Sequence, residues 1–261
     1  MEPPIASVDR VERPSVGDFR RRFLRPSRPA VLLGVCDRWP ARGWTADSLR
    51  ARLGSSRVAP VVLERGHFHI DLDEGVRVQA MRFDEYLDGL ARAERPGHYL
   101  RLPLEGGFAS LLDEVERPPY CVDRVAMKCN LWLGGAGTAS DIHYDMTHNI
   151  VAQLRGRRRV TLFPPSEAPR LYPHGLRSLN WHHSQVRLEA PDAAAFPDFA
   201  DARRVLVELS PGECLFIPRG WWHHFEALEA SLAVNFFWIT PRHVPALALA
   251  RVAWRLAGVA T

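Results

Sequence analysis

Lysine is nearly absent from this chain, and cysteine is sparse. Among 34 basic residues Lys128 is the single lysine, so arginine must serve almost wherever a cation is needed. The four cysteines, at positions 36, 121, 129 and 214, include no pair with CxxC spacing, which argues against a zinc knuckle or a dithiol redox site. Such scattered thiols are typical of a protein kept reduced, and we expect a cytoplasmic location.

Long apolar runs and long basic stripes are also missing. No stretch approaches the roughly 20 apolar residues of a membrane-spanning helix, and the polar, proline-rich start MEPPIASVDRVERP is unlike a signal peptide. The formal charge is only +4, and the arginines cluster at just two places, 20–22 and 157–159. We therefore expect neither a membrane nor a nucleic acid as a partner.

The remaining composition is that of an ordinary globular domain, with 46% hydrophobic and 25% charged residues. Changes in composition and in predicted secondary structure divide the chain into three parts. We predict an N-terminal arm at 1–14, one domain at 15–240 with a helical lead-in (15–96) and a core (97–240), and a C-terminal helix at 241–261. That apolar last helix could pack on its own domain or pair with its copy in a homodimer.

Short strands dominate the predicted core. Segments such as AMKCNLWLG, QVRLEA and SLAVNFFWI are separated at regular intervals by glycine and proline, which is typical of a β-sandwich or barrel, including the jelly roll. In the lead-in, helices are predicted at 15–23, 45–53 and 83–92, and a strand pair at 58–63 and 67–72. We therefore predict a mainly β fold, a jelly roll of the double-stranded β-helix type, with flanking helices.

The stretch HYDMTHNIVAQLRG, at 143–156, carries more polar groups than a buried strand normally holds. Residues i and i+2 of a strand share one face, so His143 and Asp145 can bind one divalent metal together. His69 and Asp71 have the same spacing, but we expect them on an exposed hairpin. On its own the spacing is common.

A second segment, LSPGECLFIPRGWWHHFEAL, supplies a partner for this pair. It reads as a strand, a proline-glycine turn, an apolar strand and a tight Pro-Arg-Gly turn, followed by His223 and His224. A jelly roll can bring this segment beside His143 and Asp145. Two histidines and one carboxylate on one side of a metal form the facial triad of non-haem Fe(II) oxygenases, with positions left open for reactants. Alternation alone does not decide which of the adjacent histidines points inward.

Together these segments, with LYP, AVNFFW and the lead-in stretches RPAVLLG and DRWPARGW, resemble the cupin-like branch of the JmjC oxygenases. Within that branch the nearest resemblance is to asparaginyl hydroxylases of the factor-inhibiting-HIF type, over roughly residues 15–240. The resemblance implies His143, Asp145 and His223 as ligands of Fe(II), with 2-oxoglutarate and O2 as cosubstrates. No further catalytic acid, base or nucleophile is implied.

The resemblance also implies a pocket for 2-oxoglutarate. The family has a lysine thirteen residues after the metal-binding aspartate, where this chain has Arg158, and an arginine can still bind the far carboxylate. The other residues matched to cosubstrate contacts are Tyr99, Ser140, Asn149 and Asn235. Phe237 or Trp238 is expected near the metal on the substrate side, whereas His182 and His183 are expected on the surface.

The implied reaction is hydroxylation of an unactivated C–H bond, with 2-oxoglutarate converted to succinate and CO2. A side chain of a protein or peptide is the expected substrate. Three alternatives remain open: a non-catalytic, metal-binding cupin module, a hydroxylase of a modified tRNA base, and a zinc-dependent isomerase of the ordinary cupin kind.

Overall fold

Two large β-sheets form the framework of the protein, as described by a computed structural model for residues 7–64, 66–68, 77–92, 97–175, 178 and 180–244. The strands are β1 (Asp9–Glu12), β2 (Ala30–Leu33), β3 (Arg57–Val58), β4 (Val61–Val62), β5 (His67–Phe68), β6 (Met81–Arg82), β7 (His98–Pro103), β8 (Ala126–Gly134), β9 (Ala139–Ser140), β10 (His143–Tyr144), β11 (His148–Arg155), β12 (Arg158–Phe163), β13 (Val205–Leu209), β14 (Cys214–Ile217), β15 (Trp222–Ala227) and β16 (Ser231–Ile239). The mainly β jelly roll predicted from the sequence is confirmed.

The large sheet has eight strands in the order β1-β2-β14-β11-β16-β8-β7-β4, and the small sheet contains β13-β12-β15-β9-β5 with β10 beside β15. Their facing sides pack together through an apolar cluster. From the large sheet this cluster takes Val31, Leu215 and Ile217, and from the small sheet Val160, Leu162, Val207 and Leu209. The sheets therefore enclose a common interior, closed at one end by this cluster.

Helices cover the outer face of the large sheet. They are α1 (Val16–Phe19), which continues as a π-helical turn (Arg20–Leu24), α2 (Ala46–Leu53) and α3 (Phe83–Arg92). Shorter 3₁₀ helices lie at Pro40–Gly43, Gly106–Glu114, Pro165–Leu171, Pro197–Asp201 and Pro241–His243. Phe19, Phe23 and Tyr86 pack against the outward side chains of the sheet. Because one face of the sheet is used in this way, only its inner face is left to build a site.

The lead-in helices begin where their capping residues predict. The Ser15 hydroxyl accepts a hydrogen bond from the backbone N–H of Asp18, and Thr45 forms a reciprocal pair of such bonds with Ser48. α3 has the predicted bounds, with Phe83 at its start. These local signals are strong because the groups that satisfy one another are only three residues apart.

Two sequence-based expectations differ from the structure. Within the described residues, the predicted strands at 58–63 and 67–72 do not pair with each other, because β4 pairs with β7 and β5 pairs in parallel with β9. The segment 185–190 forms turns instead of a strand. In the predicted arm, Asp9–Glu12 are extended and form β1, which pairs with β2. The His69–Asp71 pair and most of the predicted C-terminal helix lie outside the described residues.

Gly156 turns the chain from the large sheet into the small one, between β11 and β12. Its φ of +66° lies in the left-handed region, and a Cβ atom there would lie 2.2 Å from the carbonyl oxygen of Ala230. Only glycine fits both conditions. The turn sets where β12 begins, and Arg158 is the first residue of that strand.

Replacing Gly156 by alanine should destabilise the protein by about 2 kcal/mol or more, because the left-handed conformation alone costs an alanine about 1–2 kcal/mol and the Ala230 contact adds to it. Chemical denaturation measures this loss. As the control, Gly89→Ala lies in α3 with nothing within 4 Å of the new Cβ, and it should gain about 0.5–1 kcal/mol. A Gly156→Ala protein as stable as the parent would contradict this account.

Candidate metal centre

The pairing of two short strands brings two histidines face to face. β10 and β15 are antiparallel, with His143 directly opposite His223 and Tyr144 opposite Trp222. The two imidazole rings are 4.3 Å apart between centroids. Directly opposed residues point to the same side of a sheet, so His223 faces the interior and the adjacent His224 faces away.

Backbone carbonyl groups orient both imidazole rings. Nδ1 of His143 is 2.8 Å from the carbonyl oxygen of Asp141, and Nδ1 of His223 is 3.0 Å from that of Trp221. A carbonyl can only accept, so each Nδ1 carries a proton, and in the neutral tautomer with this bond the lone pair is on Nε2. This is the tautomer that binds a metal through Nε2.

Asp145 completes the set on the same side as His143. Its Oδ2 is buried without a hydrogen-bond partner and lies 3.6 Å from Nε2 of His223. Burial raises the pKa of this carboxyl group, while His143 and a hydrogen bond from Asn149 act in the opposite direction. Burial also lowers the pKa of His223 well below its usual value, which keeps that imidazole neutral and able to act as a ligand.

These three side chains fit a divalent metal ion. Their ligand atoms lie within 4.8 Å of one another, and they are the one such group among the described residues. Two imidazole nitrogens and a carboxylate oxygen without a partner form a donor set suited to Fe(II), with all three donors on one side. The opposite side faces a cavity, where reactants could reach the ion.

A series of hydrogen-bonded side-chain amides supports Asp145. Asn235 donates to Oδ1 of Asn149 at 2.9 Å, and its own Oδ1 accepts from Trp132 at 2.8 Å and from Asn130 at 3.1 Å. Because the oxygen of Asn149 is used in this way, its NH2 group is left to donate to Asp145, as the effect on that carboxyl group requires. The network therefore fixes the orientation of every amide in it.

The cavity beside the three ligands has a volume of about 240 Å³, which suits a molecule smaller than the usual 300–1,000 Å³ of drug-sized sites. Arg158 forms its inner end. The guanidinium donates through Nε to Ser231 Oγ at 3.0 Å and through Nη2 to Tyr99 OH at 3.2 Å. Arg158 is only 4% exposed. Within the described residues no carboxylate lies within 4 Å of it, so this buried charge lacks an internal counter-ion.

Tyr99 and Ser140 lie where they can assist Arg158. The Tyr99 hydroxyl accepts from the guanidinium and so keeps its own proton to donate, and burial raises its pKa. The Ser140 hydroxyl accepts from the backbone N–H of Phe225 and likewise keeps its proton. Gly134 makes room for the tyrosine ring, since a Cβ there would lie 2.8 Å from Tyr99 Cδ2. The inner end of the cavity is therefore rich in hydrogen-bond donors.

Nine of the ten residues predicted for the site line this cavity; the exception is Trp238. The sequence left the choice between Phe237 and Trp238 open, and alternation along β16 separates them. Phe237 faces the cavity, whereas Trp238 is 1% exposed and packs against His148 and Phe216 on the other face. His224 is also buried, with Nε2 3.1 Å from Glu189.

Two histidines expected on the surface belong to the cavity. His183 is 3% exposed and stacks on His143, with centroids 5.1 Å apart and ring planes at 19°. Burial lowers the pKa of His183 and lowers that of His182 to about 4. The loop reaches the site because His183 forms a β-bridge with His143. The sequence around either histidine does not indicate this bridge, because the two segments are forty residues apart.

A sequence profile of the cupin-like domain matches residues 16–243, and the chain therefore belongs to the cupin-like domain family. One similar protein is "JmjC domain-containing protein D" of Dictyostelium discoideum, which is 26% identical over 87% of this chain and 55% of its own length. The name of this relative supports the resemblance to the JmjC group.

Two further relatives have different names. The protein called "Lysine-specific demethylase 8" of Danio rerio is 33% identical over 90% of this chain and 59% of its own length. The protein called "tRNA wybutosine-synthesizing protein 5" of Danio rerio is 29% identical over 87% of this chain and 72% of its own length. The chain spans less than two thirds of the length of the demethylase-named protein and of the Dictyostelium protein.

These relatives support the JmjC group without supporting the asparaginyl-hydroxylase type in particular, so that finer resemblance stays a prediction. In the part of the chain that the structure describes, no helix has the length and apolar character needed to cross a bilayer. The cytoplasmic location also stays a prediction, and the homodimer contact falls on residues outside those described.

Asn149→Ala should weaken metal binding about 10–100-fold, the range found when a group that holds a metal ligand is removed. Titration with Mn(II), followed by electron paramagnetic resonance, measures the change. Asn130→Ala removes the far end of the same network and should have a smaller effect, while thermal unfolding verifies that both variants fold. Equal affinities in the Asn149→Ala variant and the parent would show that the amide does not support Asp145.

Proposed function

We propose that this protein is a 2-oxoglutarate-dependent dioxygenase that hydroxylates an unactivated C–H bond on a protein or peptide side chain. One observation carries the proposal: three convergent metal-ligand side chains share a single cavity with a buried arginine that pairs with no carboxylate of the described residues. His143, Asp145 and His223 would hold Fe(II), and Arg158 would bind the far carboxylate of 2-oxoglutarate. When bound, the iron and its cosubstrates would supply the oxidising chemistry.

The protein's own residues then have positioning roles. Arg158, Tyr99 and Ser140 offer several N–H and O–H donors at the inner end of the cavity, where a carboxylate can satisfy them and neutralise the guanidinium. Phe225 and Val151 provide apolar walls that limit access of water. Phe237 lies on the open side, where it would contact the substrate. No side chain need transfer a proton, because the reactivity comes from the bound group.

Two other functions remain as outcomes of the test. Removal of an N-methyl group begins with the same C–H hydroxylation, and one relative is named a demethylase. Another relative is named for tRNA wybutosine synthesis, which keeps a modified tRNA base as a second candidate substrate. A metal-binding module without catalysis would form no succinate.

The first experiment measures succinate formed from 2-oxoglutarate by the Fe(II)-loaded protein under O2. We expect slow turnover in the absence of a second substrate and at least a 100-fold loss in His143→Ala and His223→Ala, because each removes a metal ligand. His224→Ala is the matched control, since that ring faces away from the cavity, and it should retain turnover. Thermal unfolding checks that each variant folds.

Parent-level turnover in His223→Ala would contradict the proposed centre, and no turnover in the parent would favour the non-catalytic module. Mass spectrometry of peptide pools and of total tRNA, after incubation under the same conditions, would then separate the substrate classes by the gain of one oxygen atom.

Arg158→Gln should raise the KM for 2-oxoglutarate about 10–100-fold, because hydrogen bonds between charged partners contribute about 1.5–3 kcal/mol. Arg158→Lys keeps the charge but loses the planar pair of donors, so we expect an intermediate KM. Calorimetric titration of the Mn(II)-loaded protein with 2-oxoglutarate gives a readout that does not depend on turnover.

Arg159→Gln is the control for this series, because the guanidinium of Arg159 pairs with Glu226 on the exposed face at 3.0 Å. Its KM should equal that of the parent. If Arg158→Gln also left the KM and the calorimetric affinity unchanged, another cation would have to bind the far carboxylate.

A further inference from the structure

The inner face of the large sheet carries its side chains in four successive cross-strand rows. The rows consist of Tyr99, Gly134 and Ser231 (row 1), Arg101, Trp132 and Ala233 (row 2), Pro103, Asn130 and Asn235 (row 3), and Lys128 and Phe237 (row 4). Successive rows are two residues apart, or about 6.6 Å. The row number therefore measures how far a side chain lies from the inner end of the cavity.

The site proposed for the far carboxylate of the cosubstrate and the site proposed for the metal lie at opposite ends of this series of rows. Arg158 donates to Tyr99 and Ser231, both in row 1. Asn149, which supports Asp145, pairs with Phe237 in row 4. The far carboxylate of the cosubstrate would therefore lie at row 1, and the substrate would enter from the side of row 4. Arg101 lies between the two ends, and Lys128 lies level with Asn149.

Both of these cations are unpaired within the described part of the chain. Arg101 lines the cavity, its side chain and that of Lys128 are exposed, and within the described residues neither has a carboxylate within 4 Å. Arginines on the outside of the small sheet differ in this respect. Arg157 pairs with Glu208 at 2.9 Å and with Glu229 at 2.6 Å. Arg101 and Lys128 thus differ from these paired arginines.

The charges of the loaded cavity would balance without these two residues. The two positive charges of a ferrous ion, the Arg158 guanidinium and the Asp145 carboxylate together offset the two carboxylates of 2-oxoglutarate. Asp145 is the single carboxylate that lines the cavity among the described residues. Arg101 and Lys128 therefore add positive charge beyond this balance, and an acidic substrate would neutralise it.

We propose that Arg101 and Lys128 select a polypeptide segment with an aspartate or glutamate side chain near the target carbon, and that they exclude lysine and arginine side chains. This inference rests on the proposed function, whose substrate it specifies. Like charges brought together in such a partly enclosed site repel one another. A lysine-containing substrate, of the kind that one relative's name describes, would meet two cations here.

A polypeptide fits this charge pattern better than a nucleic acid does. A phosphate backbone is bound by a continuous series of cations, whereas these two stand two rows apart. The arginine cluster at 157–159 adds little, because Arg157 and Arg159 are paired with glutamates and Arg158 is buried. The chain as a whole has a net charge of only +4.

The test uses pools of fluorescein-labelled 13-residue peptides that share random flanks and differ at a central aspartate, asparagine, leucine or lysine. Fluorescence anisotropy measures their binding to the protein loaded with Mn(II) and 2-oxoglutarate, without O2. We expect the aspartate pool to bind at least tenfold more tightly than the lysine pool. Arg101→Glu and Lys128→Glu should each reduce this ratio, and the double variant should abolish or reverse it.

Arg25→Glu is the matched control, because it makes the same change of charge at an exposed site. Arg25 ends the helical segment before β2, and β2 is five strand steps from β7 in the large sheet, or about 24 Å. Its peptide ratio should equal that of the parent. Tighter binding of the lysine pool, an unchanged ratio in the double variant, or binding of total tRNA but not of the aspartate pool would overturn the inference.

The two proposals can fail separately. Peptide binding is measured without O2, so the ratio tests charge selection whether or not succinate forms. Succinate formation together with equal binding of all pools would overturn charge selection and leave the proposed reaction in place. A clear aspartate preference without any succinate would contradict the reaction and support a module that binds acidic segments.

Discussion

The site depends on the register of one short strand pair. β10 contains two residues, and its pairing with β15 places His143 opposite His223. A shift by one residue would turn His224 inward and His223 outward, because side chains alternate along a strand. The carbonyl groups of Asp141 and Trp221 then hold both rings with Nε2 toward the cavity. The proposed positions of metal, cosubstrate and substrate all depend on this register.

The two faces of the large sheet have different roles: the outer face belongs to the stable core, and the inner face lines the polar interior. Its outer face is covered by the helices and their aromatic side chains, while its inner face carries the asparagine network and the cations. In β11, for example, Ile150 packs outward and Asn149 faces the cavity. Burial of the outer face stabilises the fold, which allows polar groups on the inner face to be retained for chemistry.

Much of this arrangement could be predicted from local signals. Capping by Ser15 and Thr45 marks where two helices begin, and the His-x-Asp spacing indicates a shared strand face. The choice of His223 over His224 needed the resemblance, because alternation does not reveal a register between distant strands. The position of His183 could not be foreseen, since it depends on a bridge formed by folding of a long loop. Pairing of β4 with β7 was missed for the same reason.

The bridge between His143 and His183 affects the edge of the ligand strand. β10 has β15 on one side, and the loop bridge occupies the backbone of His143 on the other, while the N–H of Tyr144 donates to the carbonyl oxygen of His182 at 3.0 Å. An open edge invites another chain to add as an extra strand. With both sides of β10 occupied, the polypeptide proposed as substrate would have to reach the metal site by its side chain, and its backbone would stay outside the sheet at this point.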